Sequence, residues 1–315
     1  MNIAILGATS HIAKGLLYRL LKRGNDHLYL FARSTETNRQ FLEILGTSEK
    51  DAYTVCKDYS AFPSFPYDLI INCIGVETRN RHNCDFTRYF SVTEEFDNLS
   101  IDYLKSRNTD ALYISFSSGA VYGRGFTTPV EDGTVNRLEI NHIVQEDYYG
   151  IVRINAEAKH RAHTDLKIVD LRIFSYFSRF INLNDGYFIT DVLQAIMNGT
   201  VLVTDDTNMV RDYLHPDDLL SMIICCVNAG RLNGAFDVSS SRPTSKQEIL
   251  DYFALEYGLQ YEKRHALETS PATGIKANYY STNNNASKIG YKPLFSSMDT
   301  LKGESGHILS PEQSV

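Results

Sequence analysis

The residues with the clearest chemical use stand at the start of the chain, in the run MNIAILGATSHIAKG. Asn2 to Leu6 is apolar and uncharged, suited to a strand buried on both faces, and Gly7 breaks it before a polar turn. Beyond the turn, Ile12, Ala13, Leu16, Leu17, Leu20 and Leu21 recur at helical spacing, with Lys14, Arg19, Lys22 and Arg23 mostly on the other side. Strand, glycine turn and helix make the first half of a βαβ unit. Such a turn binds anions, because the first amides of the helix, around Thr9, Ser10, His11 and Ile12, have no partner within it and point above the strand's C-terminal edge. A G-x-x-G-x-x-G nucleotide turn would place glycines at 7, 10 and 13. Here Gly7 keeps the tight turn, Ser10 is able to cap the helix, and Ala13 is small enough for close helix–strand packing. A βα turn of some unrelated α/β protein is the competing reading of this stretch.

A second chemical position follows the next strand, His27 to Ala32, which ends in Arg33-Ser34-Thr35. In a dinucleotide fold the residue past this strand meets the adenosine ribose: a carboxylate accepts from the 2′-hydroxyl, whereas an arginine accommodates a 2′-phosphate. Arg33 occupies the place and the nearest acid is Glu36, which favours NADP(H) and leaves NAD(H) possible. A solvated arginine at a strand end is the alternative.

The elements that must position these residues read in order. Tyr53 to Cys56, Asp68 to Ile74, Leu112 to Phe116 and Leu166 to Phe174 are further strands, and Pro63 to Pro66 is a loop. Residues 86 to 105 have helical spacing through Phe86, Phe90, Phe96, Leu99 and Leu104; Ile189 to Met197 is a helix and Val201 to Val203 a short strand. Strands separated by helices predict a parallel, doubly wound sheet with its ligand crevice at the strands' C-terminal ends.

Composition narrows the class. At 315 residues, 43% hydrophobic and 22% charged, the chain can bury a sizeable core, and its net charge of -7 gives no field for nucleic acid. Cys56, Cys73, Cys84, Cys225 and Cys226 form no C-x-x-C pair and no zinc spacing, so reduced thiols are expected, with Cys225 and Cys226 as small hydrophobes of a helix. The first strand begins at once with no signal peptide, and no apolar run approaches eighteen residues, so a cytoplasmic protein that does not engage a membrane is expected. His142, His160 and His163 lack metal-ligand neighbours and are expected on helix surfaces, with no metal bound. The polar tail GESGHILSPEQSV is expected to fray.

Later motifs add a resemblance. Ser-Ser-x-x-Val-Tyr-Gly at Ser117 to Gly123, Tyr149-Gly150 with a base four residues on and Glu157 beyond, and Leu171-Arg172-Ile173-Phe174 follow the glycine turn and Asp58 in order. R-D-Y-L-H-P-D-D-L from Arg211, FDVSSSRPTSKQEI from Phe236 and NNNASKIGYKP from Asn283 complete the series. Through these motifs the chain resembles the extended short-chain dehydrogenases/reductases of the NAD(P)-dependent epimerase/dehydratase type that act on nucleotide sugars, over most of its length.

The resemblance implies a Rossmann-type domain over residues 1–175, with a strand returning near 236–239, and a smaller substrate lobe over 176–315, the two interleaved. It implies that Ser118 and Tyr149 act on the carbinol or carbonyl, supported by Arg153. The cofactor would meet Gly7, Thr9, Ser10, His11, Ile12, Arg33, Ser34, Asp58, Cys73, Ile74, Tyr149, Arg153 and Phe174. The substrate would meet Ser118, Gly119, Ser175 and Arg211, the last at the diphosphate, unless Arg211 is paired to Asp212 or Asp217. A homodimer through the helices at 86–105 and 149–160 is also implied.

The chemistry has its own logic. A tyrosine is a poor base near its ordinary pKa of about 10, and a cation one helical turn away favours its phenolate. The family has lysine where this chain has Arg153, a permanent but forked and longer cation. Family members that dehydrate sugars carry an Asp-Glu pair just after the serine; here Gly119 and Ala120 can transfer no proton, which argues against dehydration. Reduction of a nucleotide-linked keto sugar with NADPH is the favoured expectation, from Arg33. Epimerisation through a transient ketone is the alternative, and a silent NADP-binding sensor or scaffold is the reading from another class.

Overall fold

The computed structural model describes residues 1–47, 52–76, 85–265 and 276–310. Cys84 and the last five residues of the tail, 311–315, lie outside the described residues. Strand β1 (Asn2–Leu6) is followed by β2 (His27–Phe31), β3 (Tyr53–Cys56), β4 (Leu69–Asn72), β5 (Leu112–Ser118) and β6 (Lys167–Ile173). The chain then leaves this sheet for short strands β7 (Ser175–Tyr176), β8 (Leu202–Asp205), β9 (Val210–Arg211) and β10 (Tyr213–Leu214). It returns as β11 (Gly234–Val238), beside β6, before β12 (Thr244–Ser245), β13 (Tyr261–Arg264) and β14 (Asn278–Tyr279). The result is a seven-stranded, wholly parallel sheet in the order β11-β6-β5-β4-β1-β2-β3, with the strand order reversing between β1 and β4. A reversal of that kind opens a crevice at the strands' C-terminal ends.

Helices cover both faces: α1 (His11–Arg23), α2 (Thr35–Ile44), α3 (Thr87–Ser106), α4 (Gln145–Ala162), α5 (Phe188–Asn198), α6 (Pro216–Asn228), α7 (Lys246–Tyr257) and α8 (Ser297–Leu309). Alternation along β1 sends Ile3 and Ile5 to one face, against Leu16 and Leu17 of α1, Phe41 of α2 and Met222 of α6. Ala4 and Leu6 go to the other, with Phe62, Tyr67, and Ile101 and Leu104 of α3. A separate core joins α5, α7 and α8 through Val192, Leu193, Ile249, Phe253 and Leu301.

Three expectations are corrected. His160 is fully buried, because its ring sits between Asp97 Oδ1 at 2.5 Å and Asp170 Oδ1 at 2.9 Å, which pay for its desolvation and push it up to about 9. Pro63 lies within a 3-10 turn, Tyr59–Ser64, capped by Asp58. Residues 303–309 do not fray but end α8: Glu304 is buried and receives hydrogen bonds from Arg19 at 2.9 Å and Arg179 at 2.8 Å, which fasten that helix to α1. Cys226 is buried in α6 and Cys225 half-buried.

Candidate active site

The turn after β1 is tightly built. Gly7 has φ +71°, and a Cβ there would stand 2.9 Å from Ile74 Cγ1 and 3.1 Å from the Cys73 carbonyl carbon, so only glycine lets the turns after β1 and β4 meet. The Cys73 amide donates to Leu6 O at 2.9 Å and the Ile74 amide to Asn72 Oδ1 at 3.0 Å, which fixes the second turn. Ser10 caps α1, its Oγ accepting from the Ala13 amide at 3.3 Å. Thr9, Ser10, His11 and Ile12 are half-buried there, with the His11 ring 4.9 Å from that of Tyr176. Ser10 therefore satisfies one orphan amide of the helix, and the turn opens at the β1/β4 reversal with the geometry of an anion site.

Arg33 is exposed beyond β2, and Ser34 caps α2 by accepting from the Thr37 amide at 3.2 Å. Past β3, exposed Asp58 accepts from the Ser60 amide at 2.8 Å, and its bonds to Ser60 hold the carboxyl below its usual range. The Tyr59 hydroxyl reaches the Phe31 carbonyl at 3.5 Å, joining the ends of β2 and β3.

Glycine also sets the approach of α4. A Cβ on Gly150 would stand 2.6 Å from the Ala120 carbonyl, so the start of α4 presses on the turn after β5 and delivers Tyr149 beside it. One helical turn on, the Arg153 guanidinium lies 5.2 Å from the centre of the Tyr149 ring. Arg153 is only 9% exposed, its Nε has no hydrogen-bond partner among the described residues, and its Nη2 lies 3.9 Å from where a Cβ of Gly75 would be. A buried cation with an unmet donor, beside the glycine that follows β4, could hold a hydroxyl of a bound cofactor.

Ser118 ends β5, its Oγ accepting from the Ala120 amide at 3.2 Å and lying 3.0 Å from the hydroxyl of Tyr279. Gly119 is covered by Phe174, whose ring lies nearly parallel to that of Tyr122 (6.4 Å between centres) and tilted against that of Tyr279 (5.1 Å). Behind these, Glu157 accepts from Ser117 Oγ and Arg172, each at 2.6 Å, Arg172 donates to Tyr122, and the Tyr122 and Ser281 hydroxyls donate to Asp237. This network ties α4, β5, β6 and β11 to the loop after β14, and so sets where Ser118 and Tyr149 stand.

Arg211, 8% exposed, meets no carboxylate among the described residues: it donates to Val210 O at 3.0 Å and Lys276 O at 2.6 Å, and lies 5.9 Å from the Tyr279 ring centre. Asp212 instead accepts from the Ser240 amide and Asp217 pairs with Arg19, so the expected alternative of an Arg211 ion pair is not formed. Burial lowers the Arg211 pKa, the mark of a cation lacking a counter-charge. Ser175 is half-buried on β7, in register with Tyr213. Among the described residues no group of His, Cys, Asp and Glu could hold a metal, and no helix is long and apolar enough to cross a membrane.

Sequence reasoning missed Tyr279. It stands four residues after the stretch 266–275, which lies outside the described residues, in a chain with twenty tyrosines. Its signal, the run Ala277 to Ser281 before the last motif, is too short to single out without the pairing of β14 with β9.

A model of the NAD dependent epimerase/dehydratase family matches residues 3–239. The chain is similar to a UDP-glucuronic acid 4-epimerase from Bacillus cereus, solved with UDP-glucuronic acid and NAD: 16% identity, 98% of this chain and 99% of that one covered, TM-score 0.78. It is similar to a UDP-N-acetylglucosamine 4-epimerase from Methanobrevibacter ruminantium in complex with UDP-N-acetylmuramic acid, at 17% identity, 98% of each chain and TM-score 0.79. A dTDP-glucose 4,6-dehydratase from Bacillus anthracis with NAD follows at 14% identity, 99% and 98% coverage and TM-score 0.78. No curated protein gives a significant match.

Proposed function

Because the chain belongs to the NAD dependent epimerase/dehydratase family, we propose that it uses a bound nicotinamide dinucleotide to oxidise and reduce one carbinol carbon of a nucleotide-linked sugar, with epimerisation as the net reaction. The observation that carries this reading is the pairing of Tyr149 with Arg153 at the point where Gly150 packs on the turn that Ser118 caps, while Gly119, covered by Phe174, and Ala120 offer no acid for dehydration. The NAD and UDP-sugars bound in structures of similar fold support the cofactor and the substrate class.

The bound nicotinamide supplies a two-electron acceptor and donor. Tyr149 takes the hydroxyl proton as the carbinol is oxidised and returns it on reduction, with the Arg153 guanidinium 5.2 Å from the centre of its ring. Ser118 donates to the sugar oxygen. The turn from Gly7 to Ile12, with Cys73 and Ile74 packed against Gly7, would hold the cofactor's pyrophosphate, and Asp58 and Phe174 would hold its two ends. Arg211, a buried cation without a carboxylate, takes the substrate's diphosphate, near Ser175. Residues 1–175 with β11 form the cofactor part, and the remainder mainly the substrate lobe.

Arg33 carries a second reading, an NADPH-dependent reductase of a keto sugar, since no acid stands at the end of β2 to receive a ribose 2′-hydroxyl. Loading with NAD followed by a UDP-sugar, and separately with NADPH or NADH followed by a nucleotide-linked 4-keto-6-deoxy sugar, separates the two. Isomerised sugar with the cofactor unchanged supports the epimerase; stoichiometric loss of reduced nicotinamide supports the reductase.

A further inference from the structure

Tyr279 stands where the reacting end and the nucleotide end of the site meet. Its hydroxyl lies 3.0 Å from Ser118 Oγ, in a contact closed to solvent. Its strand, β14, runs parallel to β9 with Tyr279 in register with Arg211, and Arg211 donates to the carbonyl of Lys276, three residues before Tyr279, at 2.6 Å. The ring is wedged between Phe126, 4.7 Å away between centres, and Phe174, at 5.1 Å, so the direction of the hydroxyl is fixed by packing.

Hydrogen-bond counting at Ser118 gives this contact a use. A serine hydroxyl has two acceptor sites and one proton. The Ala120 amide fills one acceptor site. If Ser118 spent its proton on Tyr279, none would remain for a substrate oxygen; if Tyr279 donates, the serine proton is free. Burial pushes the Tyr279 phenol well above its ordinary value, so it keeps its proton through the neutral range and can be that donor.

We infer that Tyr279 is a positioning residue: it donates to Ser118 Oγ, turns the serine proton toward the sugar oxygen, and links that hydroxyl to the seating of the diphosphate at Arg211 through the β9–β14 pair. The inference rests on the functional reading above, in which Ser118 and Arg211 face one substrate. It is a way for binding at the non-reacting end to set the geometry at the reacting carbon.

The test uses the full chain loaded with NAD, UDP-glucose and UDP-glucuronic acid as probes, and Tyr279→Phe, which keeps the ring and removes only the hydroxyl. The expected result is a loss of about tenfold in kcat, the size of one hydrogen bond in the transition state, with KM and the affinity for UDP within about twofold of wild type. The double variant Ser118→Ala/Tyr279→Phe should be no slower than Ser118→Ala alone, since Tyr279 acts only through the serine. A thermal-unfolding cycle over the same three variants, without substrate, should likewise be non-additive. Wild-type turnover with an unimpaired Tyr279→Phe, or additive losses in either cycle, overturns the inference alone. No wild-type turnover of either sugar overturns the functional reading and the inference together.

Discussion

The ring of Phe174 stands where a side chain at position 119 would have to go: a Cβ on Gly119 would lie 2.5 Å from two of its carbons. Phe174 is itself held by Tyr122 and Tyr279, so it has little room to yield. Gly119→Ala should therefore destabilise the protein by about 1–3 kcal/mol through overpacking, read by urea unfolding, and Phe174→Leu in the same chain should recover part of the loss. Equal midpoints for Gly119→Ala and wild type would show that the ring moves aside freely.

Arg153 stands in for a lysine. Its charge lies against the Tyr149 ring, and its Nε has no hydrogen-bond partner among the described residues. Arg153→Ala should lower kcat by about a hundredfold, within the range of positioned acid–base catalysis, whereas Arg153→Lys should keep most of it. Steady-state rates on a UDP-sugar decide; equal losses for both would show that the guanidinium fork is what matters.

Stability should depend on pH through His160. Asp97 and Asp170 raise its folded value to about 9, above the unfolded value of about 6.5. A raised folded pKa stabilises fully below about pH 6.5, and that contribution is lost as the pH rises through 9; the ceiling is about 3 kcal/mol. The melting temperature should fall between pH 7 and about 9.5, and His160→Gln should flatten that slope. An unchanged slope in the variant would place the pH dependence elsewhere.

Glu304 works in the opposite direction. Arg19 and Arg179 hold its carboxyl at about 2, below the ordinary 4.5. Its contribution is present above pH 4.5 and lost as the pH falls toward 2. Glu304→Gln leaves the Arg179 guanidinium without its counter-charge and Arg19 with Asp217 alone, and should cost about 3 kcal/mol, seen as an earlier urea midpoint.

The faces of α3 and α4 that carry Phe90 (42% exposed) and Ile154 (37% exposed) suit the homodimer the resemblance implies. Light scattering should give twice 35.7 kDa, and Ile154→Glu should halve it. A monomeric mass for the wild type at micromolar concentration would rule that face out.

Much of the fold was legible because one period dominates each segment. Buried parallel strands are continuous apolar runs, as in Ile3 to Leu6 of β1, and α1 shows its helical stripe openly. Local patterns failed where a distant partner decides. His160 reads as a surface residue until Asp97 and Asp170 meet it across 63 and 10 residues, and the polar tail reads as frayed until Arg19 and Arg179 claim Glu304. The site divided in the same way: Gly7, Ser118, Tyr149 and Arg211 sit in motifs, whereas Tyr279 is recognised only when β14 brings it 3.0 Å from Ser118.

The most direct test of the account is the fate of a UDP-sugar and its cofactor on the NAD-loaded protein, wild type against Tyr149→Phe. The account predicts that wild type interconverts UDP-glucuronic acid or UDP-glucose with its epimer while total NAD stays constant, and that Tyr149→Phe binds both ligands but is slower by at least a hundredfold. Undiminished turnover in Tyr149→Phe, or NAD bound tightly with no sugar changed by wild type, would contradict it.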